Sequence, residues 1–97
     1  MPIYILVTKL QNPYLLEKRK EQGEKWLRLV REKLPGIKWI AHYAILGPYD
    51  FLDIFEVKNE QEAAKVSLVS RSAGANFAES WTAIFYMEFL ELIDDLK

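Results

Sequence analysis

Residues 3–10, IYILVTKL, are apolar, β-branched or aromatic at almost every position, and Pro2 and Asn12 bound the run. That pattern predicts a strand. Both of its faces are apolar, with Ile3, Ile5 and Val7 on one and Tyr4, Leu6 and Leu10 on the other. Asn12-Pro13 then reads as a helix start, with Asn as N-cap and Pro at the first helical position. The apolar period changes to that of a helix through Trp26, Leu27, Val30 and Leu34, and Pro35-Gly36 stops it. Gly23 weakens its middle. Residues 37–46, IKWIAHYAIL, and 49–57, YDFLDIFEV, predict two strands joined through Gly47-Pro48 as a hairpin. Asn59, three residues before Glu62, predicts a helix start, and Gly74 ends that helix as a C-cap. Residues 77–87, FAESWTAIFYM, read as a fourth strand. Residues 88–96 read as a short amphipathic helix with Phe89, Leu90, Ile93 and Leu96 on one side.

The order strand, helix, strand, strand, helix, strand predicts an α+β fold of the ferredoxin-like βαββαβ type, formed as one domain over residues 1–97. Both main helices then cover one face of an antiparallel sheet. A monomer would carry polar residues on the other face. Here the first, second and fourth strands are apolar on both faces, so a second copy of the sheet is the expected cover. The expectation is a homodimer, a dimeric α/β barrel, or a larger assembly of dimers.

Composition strengthens that expectation. A chain of 97 residues has little core to spare, yet 51% of it is hydrophobic, including three Trp, five Tyr and five Phe. The net charge of −1 offers no basic excess for a phosphate backbone, so a direct nucleic-acid partner is not expected. No cysteine is present, and the single histidine makes a poor metal-ligand set, so neither metal nor cofactor is expected. No apolar run reaches the length of a membrane span, and a cytoplasmic location is the default expectation.

If the hairpin turns through Gly47-Pro48, His42 faces Asp53, Ala44 faces Phe51 and Ile40 faces Phe55. The opposite side carries Tyr43 with Leu52 and Ala41 with Ile54, and this second set looks like the helix-facing core. His42 with Asp53 is the candidate acid–base pair, because a carboxylate can orient a histidine for proton transfer. Paired groups of this kind are often structural instead. Tyr43, Tyr49, Phe51 and Trp81 are candidate ligand contacts, each offering an aromatic surface. Asp50 is a further candidate contact, although a carboxylate beside a turn more often accepts backbone N–H bonds and pins it.

The stretch "GPYD" followed by "FLDIFEV" and preceded by "WIAHYAIL" resembles the GYD family of small stand-alone proteins. The resemblance runs over nearly the whole chain, to the acidic and hydrophobic tail "MEFLELI". The same hairpin is similar to the ligand-sensing domain of the leucine-responsive regulators. The resemblance implies a dimeric α/β barrel and a family whose biochemical role is undefined. The expected function is a self-associating small domain that binds a small apolar or amphipathic ligand in or near the dimer interior. The alternative is a cofactor-free enzyme on a small hydrophobic substrate, with His42 and Asp53 as its acid–base pair.

Overall fold

The computed structural model of the chain describes residues 1–10 and 16–97, with the backbone alone for 16–19. The expected cap at Asn12-Pro13 lies outside the described residues. The elements are β1 (Ile3–Leu10), α1 (Leu16–Lys33), β2 (Lys38–Ala44), β3 (Phe51–Glu56), α2 (Glu60–Ser72), β4 (Ala75–Ala83) and α3 (Tyr86–Asp95). The strands form one antiparallel sheet in the order β2-β3-β1-β4. This is the ferredoxin-like order, followed by a C-terminal helix.

Local chemistry sets the element ends. The Asn59 side chain accepts a hydrogen bond from the Glu62 backbone N–H at 3.0 Å, satisfying one orphan donor of α2. Glu62 itself turns to Lys65 rather than back to the cap. Gly74, just beyond α2, adopts φ 109°, a left-handed conformation that glycine takes without strain. The fourth strand ends four residues earlier than its sequence pattern predicts. Ala83 pairs with Ile3, the first residue of β1, so nothing remains for Ile84–Met87 to pair with. Tyr86 and Met87 join α3 instead.

The helix-facing side of the sheet carries the core. Leu6, Phe55, Val66 and Ala78 are fully buried, with Leu34, just past α1, and Trp26 of α1 packed against them. Phe55 stacks on Tyr4 and tilts against Trp39. This reverses the expected facing of the hairpin. Phe55 and Asp53 point to the helices, while Tyr43 is exposed and Leu52 and Ile54 are half-buried on the open side. The set that faces the helices shares its side with Leu6, its partner on β1, and Leu6 is the more deeply buried half of that strand. Apolar content alone did not discriminate, because both sides of the hairpin are apolar.

The open side is apolar and only partly covered in the single chain. Ile5 lies between Ile54 and Trp81, and Trp81 is 42% exposed. At one end Tyr49 packs on Phe77 and Trp81, and Val7 on that face is buried. None of the described residues of α3 is buried. Its Tyr86, Phe89 and Leu92 are exposed. The radius of gyration is 14.9 Å, against roughly 12–13 Å for a compact chain of this length.

Candidate functional site

An irregularity in β2 builds the site. Trp39 pairs with Phe55, yet Ala41 pairs with Ile54, so Ile40 is an extra residue in the ladder. A regular strand would send Trp39 and His42, three residues apart, to opposite faces. The bulge sends both toward α1. The expected pairings of His42 with Asp53 and Ala44 with Phe51 occur, whereas Ile40 does not meet Phe55.

Trp26 of α1 meets these residues from above. Its ring lies 5.3 Å from Trp39, edge on, and 5.8 Å from His42 at an interplanar angle of 18°. Phe51 stacks on His42 at 5.6 Å and 17°. The imidazole is therefore held in a near-parallel series of rings. Trp26 donates its indole N–H to the Ser70 hydroxyl of α2 at 2.8 Å, and Ser70 is buried. That bond satisfies a polar atom in the core and fixes the indole plane.

The Nδ1 of His42 is hydrogen-bonded to Oδ1 of Asp53. Asp53 is 2% exposed, whereas the His42 side chain is 58% exposed. Burial pushes the Asp53 carboxyl above its usual 3.8, and the charge and hydrogen bond of His42 offset part of that rise. With Nδ1 engaged, Nε2 is the nitrogen available to exchange a proton. A cavity of about 550 Å³ opens between α1 and the sheet, with Trp26, Trp39, His42, Phe51 and Asp53 among its walls. The arrangement can therefore orient an imidazole beside an aromatic-walled space.

Because its pKa is raised, just above pH 3.8 folded Asp53 keeps a proton that the unfolded chain has begun to release. Its contribution is present below 3.8 and is lost as pH rises through the folded value. Asp53→Asn removes the titration and keeps an oxygen for the Nδ1 hydrogen. We expect this variant to gain on the parent as pH rises above about 3.8, seen as a widening difference in melting temperature. Paired thermal melts across that range check it; a gap that stays constant with pH would assign the effect to something other than this carboxyl.

The remaining sequence candidates lie elsewhere. Tyr49 and Trp81 meet each other on the open face, across the sheet from His42, Asp53 and Phe51. Tyr43 is exposed on that face. Asp50 accepts a hydrogen bond from the Leu10 backbone N–H at 2.8 Å, and its own N–H donates to the Thr8 carbonyl. It ties the turn to β1. The sequence pattern does not mark Trp26 and Ser70 as site residues. Trp26 reads as one more member of the helical stripe, and a serine late in α2 carries no signal until α1 is laid across it.

Two solved structures share this fold. One is FFRP-DM1, at a TM-score of 0.57 and 17% identity over 87% of this chain and 100% of that one. The other is TTHA0845 from Thermus thermophilus, at a TM-score of 0.59 and 19% identity over 87% of this chain and 94% of that one. At these identities the likeness is one of fold. In sequence, a 40-residue stretch is 38% identical to the glutamine synthetase and cystathionine beta-lyase binding protein of Thermus thermophilus. That stretch covers 41% of this chain and 42% of the relative, so the match spans about two fifths of each. The GYD domain model matches residues 5–93, including the hairpin and both main helices, and the chain belongs to the GYD domain family.

Proposed function

We propose that this chain is a self-associating protein-interaction module, pairing with a second copy through the open face of its sheet. The observation that carries this reading is the apolar surface left partly exposed on one chain: the Ile5, Ile54 and Trp81 face together with the exposed rings of α3. Contiguous apolar surface of this kind marks interaction sites in soluble proteins. Two sheets packed face to face would cover the first patch. The terminal helix, with no buried residue of its own, is placed to cover part of the partner or to meet another protein.

The name of the Thermus thermophilus relative supports protein partners of the metabolic-enzyme class for this chain as well. Native mass spectrometry tests the reading, first on the chain alone and then mixed with purified glutamine synthetase or cystathionine beta-lyase of the same organism. We expect a multimer alone and a heavier complex with an enzyme. A monomer that takes up neither enzyme would sink the proposal.

A second reading is favoured by one observation, the His42–Asp53 pair inside an aromatic-walled cavity. In that reading the chain is a cofactor-free enzyme on a small hydrophobic substrate. His42 exchanges a proton through Nε2, and Asp53 orients the ring.

A further inference from the structure

The cavity under α1 faces away from the surface used in the proposed self-association, and its chemistry is specific enough to define a ligand. Its volume of about 550 Å³ falls in the range of small-molecule sites, roughly 300–1,000 Å³. The Trp26 ring that walls it is fixed before any ligand arrives, by its bond to buried Ser70 and its edge contact with Trp39. A preorganised aromatic wall loses little freedom on binding. Gly23 lines the same space one turn before Trp26, and a Cβ placed there would meet nothing within 4 Å. The missing side chain leaves that part of the cavity open.

The charges around the cavity are unequal. His42 and Asp53 answer each other. Among the described residues Lys20 and Arg31 of α1 also line the space, against one further carboxylate, Glu24. Among the described residues neither Lys20 nor Arg31 forms a salt bridge. They stand roughly 16 Å apart along the helix axis, so a single small anion reaches only one of them. Lys20 has Glu24 one turn away on its own face, which offsets its charge. Arg31 has Leu27, Arg28, Leu34 and Pro35 at the neighbouring helical positions and no carboxylate among them. Its guanidinium is therefore the uncompensated cation among the described lining residues, and it suits a planar, two-oxygen acceptor.

We propose that this cavity binds a planar aromatic carboxylate, its ring against Trp26 and Trp39 and its carboxylate on Arg31. The site does not depend on self-association.

Isothermal titration with 2-naphthoate, and with the neutral 2-naphthalenemethanol of similar shape, tests it on the full chain. We expect one naphthoate per chain, with the alcohol at least about tenfold weaker. Arg31→Gln should weaken naphthoate by about tenfold or more and leave the alcohol within about twofold. Gly23→Phe, which fills the cavity from a helical position where Phe has the better propensity, should weaken both ligands at least about tenfold without lowering the melting temperature. Equal affinity for acid and alcohol would overturn the proposal. So would the absence of heat at millimolar naphthoate. Binding that survives Gly23→Phe would place the ligand on the open face or on α3 and would overturn it as well.

Discussion

Phe55→Ala is expected to cost about 3–5 kcal/mol, the largest effect of any single truncation in this chain. Phe55 is fully buried at the centre of the sheet, stacked on Tyr4 at 5.9 Å and tilted on Trp39 at 5.2 Å. Removing the ring takes away its transfer free energy and leaves a void that three different strands would have to close. Those strands are hydrogen-bonded to one another, so they can relax only in part. A domain of this size has roughly 5–15 kcal/mol of stability in total. The loss corresponds to roughly 12–40 °C in melting temperature. Thermal unfolding followed by far-UV circular dichroism measures it. Since Trp39 leans on Phe55 and Trp26 leans on Trp39, the same variant should loosen the cavity walls. A loss below about 1 kcal/mol would mean that the hairpin does not present this side to the helices.

The second large effect separates two adjacent residues. Ile5 and Leu6 are consecutive in β1 and point to opposite faces of the sheet. Leu6 is fully buried beneath the helices, whereas Ile5 is half-buried on the open face between Ile54 and Trp81. Leu6→Glu puts an unpaired charge in the core and should unfold the chain. Ile5→Glu should leave the subunit folded and, on the proposed pairing of sheets, put an unpaired charge into the interface of each copy. An unpaired buried charge costs about 3–5 kcal/mol, which weakens self-association by at least about 100-fold. Sedimentation velocity with circular dichroism reads both properties. An Ile5→Glu chain that sediments as the parent multimer would remove the open face from the interface. An unfolded Ile5→Glu chain would show that the face belongs to the subunit core.

The arrangement of chemistry on the hairpin explains why the two proposals are separable. Period-two alternation places His42, Asp53 and Phe51 under α1 and leaves Tyr43, Ile54 and Leu52 on the other side. Tyr49 then crosses to the open face and meets Phe77 and Trp81. One short motif therefore serves two surfaces. Asp50 holds it in place through Leu10, and neither the cavity nor the open face requires that carboxylate as a ligand contact.

The sequence alone determined the elements, their order and their most local contacts. Strand and helix periods, the Asn59 cap and Gly74 act within a few residues, so they are legible without any fold. The two-faced apolar strands also announced an uncovered sheet face, because alternation is a local property of β-structure. The cross-strand meeting of His42 and Asp53 followed from counting outward from the turn. The tertiary structure decided the rest. Which side of the hairpin meets the helices depended on the match to Leu6 and Val66, since both sides are apolar. The bulge at Ile40 brought Trp39 and His42 to one face, and a strand pattern has no signature for a single extra residue. Trp26 and Ser70 lie 44 residues apart. They became partners only when α1 and α2 were packed side by side on the sheet, which is why the cavity they help to frame was invisible in the chain.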